Sequence, residues 1–249
     1  MSVAPQGWDD GQARFYARTL AQSDYAARVA PRLGGPWSDV LDVGAGSGAL
    51  TATCLAPRAR WHAVEPNAAM RGLLAMCRSS LAHASIELRV DPRPWQALPG
   101  DVHAEVVLAA NLGATHHEPA AFFDAMRPRA RRGMVWVVAA QAGPSTFCLA
   151  GFLPAALHGA DESPAHERTL AGLGAARAPT SVDFADWTCR HTFARIDEAL
   201  AHFTDRLRVG PGDPRAASIS RWLHEHALVG PAGVTVACAK RSAILRWTR

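Results

Sequence analysis

The chain has 249 residues, of which 49% are hydrophobic and 19% are charged. That apolar content excludes an intrinsically disordered protein, which could not bury enough surface to offset the entropy of an ordered chain. The longest apolar run, over 133–143, is far shorter than the roughly 20 residues that span a bilayer, so no membrane segment is predicted. The length predicts one domain with a sizeable core.

The net charge of +4 is spread evenly, because residues 1–150 and 151–249 each carry +2. A nucleic-acid-binding protein usually concentrates its positive charge on one surface. The densest arginine cluster, over 127–132, is typical of a helix C-terminus, where cations interact favourably with exposed carbonyls. We therefore expect no nucleic-acid partner.

The five cysteines are scattered and form no Cys-x-x-Cys pair. This spacing argues against a disulfide framework and against a structural zinc site, so no metal is predicted. The first ten residues hold two acids and no basic run, and no secretory signal is visible there. Reduced thiols in the cytoplasm are the expectation.

Strand and helix patterns alternate up to about residue 143. The predicted elements are, in chain order, a helix over 8–33, a strand over 38–43, a helix over 50–56, a strand over 61–65, a helix over 68–79, strands over 86–90 and 104–110, a helix over 120–126 and a strand over 134–140. Strands that alternate with helices imply right-handed crossovers and a parallel sheet that is covered on both faces.

The rest of the chain lacks this regular alternation. Its predicted elements are a proline-interrupted helical stretch over 152–173, a strand over 187–193, helices over 196–207 and 215–228, and a closing strand or hairpin over 234–247. No linker separates it from the preceding part, so we predict a single domain over 1–249. The expected parts are N-terminal lid helices over 1–37, a cofactor-binding core over 38–143, and a substrate-side insert with completion of the sheet over 144–249.

A glycine-rich turn follows the first predicted strand and contains Gly44, Gly46 and Gly48. Glycines let the backbone turn tightly and approach a ligand closely, and the helix that follows offers free N–H groups. Glu65 stands at the end of the second predicted strand, where a carboxylate can accept both hydroxyl protons of a ribose. This strand–helix–strand arrangement predicts a nucleotide-cofactor site.

Two classes of cofactor fit the turn, because Gly44, Gly46 and Ala49 also satisfy the dinucleotide pattern GxGxxG/A. Asp42 distinguishes them. A buried acid so close would repel a pyrophosphate, whereas a ligand with a sulfonium and an amino group favours a nearby carboxylate. The long helical segment before the first strand also favours the ligand with a sulfonium and an amino group, because this segment could fold over such a cofactor.

The segment Asp42-Val43-Gly44-Ala45-Gly46-Ser47-Gly48 with Ala63-Val64-Glu65-Pro66-Asn67 resembles motif I and the acidic post-I motif of class I S-adenosylmethionine-dependent methyltransferases. The resemblance extends to 93–99 and 105–111, and it is greatest to bacterial small-molecule methyltransferases of the Methyltransf-11/25 type. It implies an α/β, Rossmann-like doubly wound sheet of seven mostly parallel strands with a reversed last strand. S-adenosyl-L-methionine would bind at the carboxyl edge of that sheet.

The resemblance also implies roles for single residues. Asp42 would lie near the amino group of the cofactor, and Glu65 would hold its ribose hydroxyls. The other residues expected to bind the cofactor are Gly44, Ala45, Gly46 and Gly48 at its methionine part, Pro66 and Trp95 near its adenine, Asn111 near its methyl group, and Tyr16 in the lid.

Two positions depart from the family pattern, one of which is Glu105 on the fourth predicted strand in place of the commoner aspartate. Many members carry an aspartate after the third strand that binds the adenine amino group, whereas this chain has Arg93-Pro94-Trp95 there. The contact is then missing, made by the backbone, or supplied by Asp91.

His116 and His117 follow the fourth predicted strand, on a loop that is expected to face the substrate. A histidine there could remove a proton from a hydroxyl or amine nucleophile, so both are catalytic candidates. The alternative is that they are ordinary surface histidines, since in-line methyl transfer needs little beyond positioning and desolvation.

The predicted reaction is methyl transfer to an oxygen, nitrogen, sulfur or carbon atom of a small molecule. Asn111-Leu112-Gly113-Ala114 is unlike the NPPY signature of adenine-N6 or glutamine methyltransferases, and no Pro-Cys nucleophile is present. A monomer or homodimer is expected. The alternatives are an NAD(P)-dependent oxidoreductase, an RNA methyltransferase suggested by the arginine excess, and a non-catalytic cofactor-binding protein.

Overall fold

The computed structural model describes residues 9–81, 84–112, 118–143, 151–158, 163–210 and 212–248. These residues form one eight-stranded sheet in the order β3-β2-β1-β4-β5-β8-β6, with β7 paired to β8. The strands are β1 (Trp37–Val43), β2 (Leu55–Val64), β3 (Glu87–Asp91), β4 (Ala104–Ala110), β5 (Ala130–Ala139), β6 (Ser181–Phe193), β7 (Leu228–Gly230) and β8 (Gly233–Thr248).

Helices cover the sheet and its carboxyl edge. They are α1 (Asp10–Gln22), α2 (Tyr25–Val29), α3 (Ala49–Ala52), α4 (Ala68–Ser80), α5 (Pro119–Met126), α6 (Ala155–His158), α7 (Ala165–Leu173), α8 (Ile196–Arg206) and α9 (Pro214–His226). Within the described part of the chain, no helix combines the length and the apolar character needed to cross a membrane.

The first five strands are parallel, in the order β3-β2-β1-β4-β5. Their central members consist mostly of buried aliphatic residues, as expected for strands covered on both faces. The strand order reverses between β1 and β4. Ligands of such sheets bind outside the carboxyl ends of the strands at this reversal, so the fold puts a crevice at the end of β1.

β8 runs antiparallel to β5 and to β6, which confirms the predicted reversed last strand. The structure describes one strand more than the predicted seven, because the helix predicted to reach residue 228 ends at His226 and Leu228–Gly230 pairs with β8 as β7. Helix α9 ends at His226, where the next backbone N–H bonds Leu223. The mostly parallel Rossmann-like sheet is otherwise as predicted.

Two strands are much longer than the rest. Ala139, the last residue of β5, pairs with Ser242 of β8. Residues 233–241 of β8 and the residues of β6 that pair with them therefore project beyond the carboxyl edge of the parallel strands. The projecting part has a core of its own, to which α8 and α9 contribute Phe203, Ile219 and Leu223.

The helix predicted over 8–33 is wrong as a single element, because it breaks at Ser23 and Asp24 into α1 and α2. The Ser23 hydroxyl accepts the backbone N–H of Arg190 at 3.0 Å, and the Asp24 carboxylate accepts that of Thr188 at 2.6 Å. These two bonds attach the junction of the lid helices to the edge strand β6.

Candidate active site

The glycine turn leaves β1 at the strand reversal. Gly44, Gly46 and Gly48 have φ angles of +70°, +57° and +79°, in the left-handed region that side chains disfavour. A Cβ on Gly44 would lie 2.0 Å from Leu112, whereas one on Gly46 would meet nothing within 4 Å. The turn is therefore packed against Leu112 at Gly44, whereas the space beside Gly46 is open, as is needed where a backbone turn is to hold a ligand.

A cavity lies between this turn, the ends of β1 and β4, and the lid helices α1 and α2. Its lining includes six residues that were predicted to bind a cofactor: Tyr16, Asp42, Gly44, Ala45, Gly46 and Asn111. The predicted Gly48, Glu65, Pro66 and Trp95 lie outside this lining. Apolar side chains complete the wall: Leu20, Leu50 and Met70.

Asp42 is the buried acid of this cavity, with 2% of its surface exposed. Its Oδ2 accepts the Thr51 hydroxyl at 2.7 Å and the indole N–H of Trp61 at 3.1 Å. Burial raises the pKa of the Asp42 carboxyl to about 7, although both hydrogen bonds act in the opposite direction. The cavity therefore holds an acid that a cationic ligand would stabilise in its charged form.

Glu65 lies next to the cavity and is 7% exposed. One carboxylate oxygen accepts the backbone N–H of Gly46 at 2.8 Å and the other accepts that of Asn67 at 2.8 Å. Burial raises the pKa of the Glu65 carboxyl above its ordinary value, against the effect of these bonds. Glu65 thus links the glycine turn to the end of β2, and its role toward a ribose stays a prediction.

Asn111 follows β4 with a φ of +55°, a conformation that asparagine adopts more readily than most residues. Its side-chain N–H donates to the hydroxyl of Tyr25 at 3.0 Å, and its backbone N–H donates to Val137. Sequence reasoning missed this pair, because nothing in a lone tyrosine on a helical segment reveals a partner 86 residues away.

The remaining predicted cofactor residues have these surroundings. A Cβ on Gly48 would lie 2.6 Å from both Leu74 and Trp61, so this glycine permits close packing of the core. Pro66 accepts Arg71 through its carbonyl at 2.6 Å. Trp95 packs edge-on against Phe122, with ring centroids 5.2 Å apart. The adenine contacts of Pro66 and Trp95 stay predictions.

Asp91, the suggested alternative for an adenine contact, is engaged elsewhere. Its carboxylate accepts the guanidinium of Arg93 at 2.9 and 2.6 Å and the backbone N–H of Arg93 at 3.0 Å. Hydrogen bonding to Arg93 holds the pKa of Asp91 well below its usual range. With its lone pairs so occupied, Asp91 is a poor acceptor for an adenine amino group.

The predicted catalytic candidates His116 and His117 lie outside the described residues. Among the residues that the structure describes, no group of three or more His, Cys, Asp or Glu side chains could hold a metal ion.

The arginine cluster over 127–132 is tied to the protein itself. Arg131 pairs with Asp39 and Arg132 with Glu105. The Arg129 guanidinium donates to backbone carbonyls, including those of Leu98 and Val102 at 3.1 and 3.2 Å. These contacts give the cluster a structural use at the amino edge of the sheet, opposite the cavity.

No protein-family model matches the chain, and no curated protein matches it. Solved structures do match. One is a Bacillus halodurans C-125 protein with the provisional name of a methyltransferase; the match has 14% identity and a TM-score of 0.50, and it covers 89% of this chain and 96% of that one.

Two further matches have a TM-score of 0.49. The provisionally named type II methyltransferase of Anaeromyxobacter dehalogenans is 18% identical, over 99% of this chain and 98% of that one. The geranyl diphosphate C-methyltransferase of Streptomyces coelicolor A3(2) is 13% identical, over 99% of this chain and 86% of that one. The Bacillus match supports the Rossmann-like methyltransferase fold described above. The chain therefore has the fold of the class I S-adenosylmethionine-dependent methyltransferases.

Proposed function

We propose that the chain is an S-adenosylmethionine-dependent methyltransferase that acts on a small-molecule acceptor. The observation that carries this proposal is the buried Asp42 carboxyl in the cavity of the glycine turn. A carboxylate in a site of low polarity attracts a cation strongly and repels an anion. The amino group and sulfonium of the cofactor match this charge, whereas the pyrophosphate of a nicotinamide cofactor does not.

The other residues of the site fit the same ligand. The open space beside Gly46 leaves room for the methionine part, and Glu65 retains lone pairs beyond the two that accept backbone N–H groups. Tyr16 and Leu20 of α1 would cover the ligand and exclude water. The charge of Asp42, the open space beside Gly46 and the side chains of α1 over the cavity therefore all support the cofactor assignment.

When bound, the cofactor would supply an electrophilic methyl group on its sulfonium sulfur. The residues of the chain would position the reactants and exclude water. Asp42 would hold the cationic end of the cofactor, and Asn111 with Tyr25 would line the side of the cavity on which the acceptor approaches. Positioning of this kind can supply a large part of a rate enhancement. A general base, for which His116 and His117 are candidates, would be needed only for acceptors that carry a proton.

The activity is tested by incubating the full chain with S-adenosylmethionine and pools of small metabolites, and by measuring S-adenosylhomocysteine by mass spectrometry. We expect product above the level given by the Asp42→Asn variant. Product formation that is equal for both proteins across all pools would contradict the proposal.

The ribose contact is tested by Glu65→Ala. We expect S-adenosylhomocysteine to bind more weakly by about 1–3 kcal/mol, the usual cost of leaving hydrogen-bonding groups unpaired. Unchanged affinity in calorimetry would show that Glu65 only fastens the glycine turn to β2.

A further inference from the structure

Asp42 receives hydrogen bonds from two other elements of the fold. The parallel register places Asp42 of β1 beside Ala63 of β2, so Trp61, two residues before Ala63, projects from the same face of the sheet. The indole of Trp61 reaches Asp42 along that face, and Thr51 reaches it from α3, the helix that follows the glycine turn. Trp61 is 0% exposed and Thr51 is 3% exposed. Two buried donors from different elements therefore converge on one carboxyl.

Both hydrogen bonds go to the same atom of Asp42. Oδ2 accepts the Thr51 hydroxyl and the Trp61 indole N–H, whereas Oδ1 accepts no hydrogen bond from the residues that the structure describes. A carboxylate can accept hydrogen bonds through both of its oxygens. Because Asp42 also lines the cavity, Oδ1 is the atom that it can offer to a ligand.

Gly48 is the residue of the glycine turn that this arrangement explains. It lies outside the lining of the cavity, and a Cβ on it would lie 2.6 Å from the ring of Trp61. Glycine at this position therefore makes room for the indole beneath the turn. Since the ring is confined there, its N–H stays within reach of Asp42.

The charged form of Asp42 has little other support within the protein. Among the described residues that line the cavity, none carries a positive charge. Burial and the neighbouring carboxyl of Glu65 both raise the pKa of Asp42, and the two hydrogen bonds lower it. The other titratable groups nearby are Cys54, which follows α3, and the lid tyrosines Tyr16 and Tyr25. In the described surroundings, the two hydrogen-bond donors are therefore the groups that favour the ionised carboxyl.

We infer that Thr51 and Trp61 are positioning residues of the proposed methyltransferase. They hold Asp42 by Oδ2, leave Oδ1 for the ammonium group of the ligand, and set the pH above which the site accepts that group. A hydrogen bond to the charged form of an acid favours that form, so the ligand meets a carboxylate that is already ionised. The inference rests on the proposed function for its ligand, whereas the hold on Asp42 depends on the described contacts alone.

The first test changes the Thr51 hydroxyl. Thr51→Val keeps the branched shape and removes the donor, whereas Thr51→Ser keeps the donor. Affinity for S-adenosylhomocysteine is measured by calorimetry from pH 5.5 to 8. In Thr51→Val, we expect the pH at which the affinity levels off to move upward by about 0.5–1 pH unit, so the loss of affinity should be severalfold at pH 6 and smaller at pH 8. Thr51→Ser should restore the wild-type profile.

The second test compares Trp61 with a matched tryptophan. Trp61→Phe removes the indole N–H and should move the profile in the same direction as Thr51→Val. Trp136→Phe removes an equally buried indole from β5, whose N–H has no hydrogen-bond partner among the described residues, and should not move it. A loss of affinity by the same factor at every pH in Thr51→Val and Trp61→Phe would overturn the inference, as would equal shifts in the two tryptophan variants.

Failure of this inference is distinct from failure of the proposed function. If S-adenosylhomocysteine binds and the variants leave its pH profile unchanged, the cofactor proposal stands and the inference fails. If S-adenosylhomocysteine does not bind, the ligand-free protein decides: Thr51→Val should lower the Tm more at pH 8, where Asp42 is ionised, than at pH 5. An equal loss at both pH values would overturn the hold on Asp42. Circular dichroism checks that each variant folds.

Discussion

Asp42 combines two opposing demands. Burial of its carboxyl raises the pKa to about 7, against the hydrogen bonds from Thr51 and Trp61, while the proposed ligand needs the charged form. If Asp42 serves ligand binding at the expense of stability, its substitution should weaken ligand binding without lowering the stability of the fold.

The substitution Asp42→Asn separates them. The amide oxygen can still accept Thr51 and Trp61, so the fold should persist, but the charge opposite the ligand is lost. We expect affinity for S-adenosylhomocysteine to fall by about 1.5–3 kcal/mol, the usual value for a hydrogen bond to a charged group, as measured by calorimetry. Asp39→Asn, on the same strand but at its amino end, is the control and should bind normally.

The stability of the ligand-free protein should respond to the same group. The ordinary pKa of an aspartate carboxyl is 3.8, and that of Asp42 in the folded protein is about 7, so its stabilising contribution is complete below about pH 4 and disappears as the pH rises through 7. Asp42→Asn should therefore have a higher Tm than wild type at pH 8, with a difference that shrinks toward pH 5. A difference that is constant across this range would contradict the buried-acid account.

Ligand affinity should show the opposite trend with pH. The ammonium group of S-adenosylhomocysteine would bind the ionised carboxyl, so affinity for this ligand should rise between pH 5.5 and 7.5 and then level off. The rise should be smaller in Asp42→Asn. Glu65, whose pKa burial also raises, would add to the rise in both proteins, so the comparison isolates Asp42.

The cofactor-facing residues could be predicted because they are local in sequence. Asp42, Gly44 and Gly46 follow one strand, and each is placed by the turn itself. Tyr25 and His191 could not be assigned in the same way, because their surroundings come from distant elements. The ring of Tyr25 in α2 packs against that of Trp187 in β6, and the ring of His191 packs against those of Phe15 and Phe152.

Among the secondary-structure elements, β4 and α4 were predicted almost to the residue, because their apolar spacing is regular and their ends carry clear signals, such as the Asn67 cap of α4. The break between α1 and α2 was not predicted. Its cause is tertiary: Ser23 and Asp24 bond the backbone of the edge strand β6 instead of continuing the helix.

This attachment of the lid is testable. Asp24→Ala removes the acceptor for the Thr188 N–H, which should cost about 1 kcal/mol and loosen α1 and α2 over the cavity. We expect faster limited proteolysis between α1 and β1 and a severalfold loss of affinity for S-adenosylhomocysteine. Asp10→Ala, in the first turn of α1, should change neither property; equal effects of both variants would contradict a specific attachment.

At the scale of the whole molecule, the ion pairs of the arginine cluster argue against the alternative of an RNA methyltransferase. The arginines over 127–132 are engaged by Asp39, Glu105 and backbone carbonyls, so their guanidinium groups already have partners within the fold. We expect anisotropy of a labelled RNA to show no affinity that falls steeply with added salt, the behaviour of proteins that neutralise phosphates. A steep salt dependence would revive that alternative.

The reversal of strand order, the buried Asp42 carboxyl and the lid helices lead to one central expectation, that the cavity beside Asp42 binds a cationic nucleoside cofactor. The most direct measurement is a calorimetric titration of the full chain at pH 8 with S-adenosylhomocysteine and, separately, with NADH. The account predicts that one molecule of S-adenosylhomocysteine binds per chain with micromolar affinity and that NADH does not bind. Binding of NADH without binding of S-adenosylhomocysteine would contradict it.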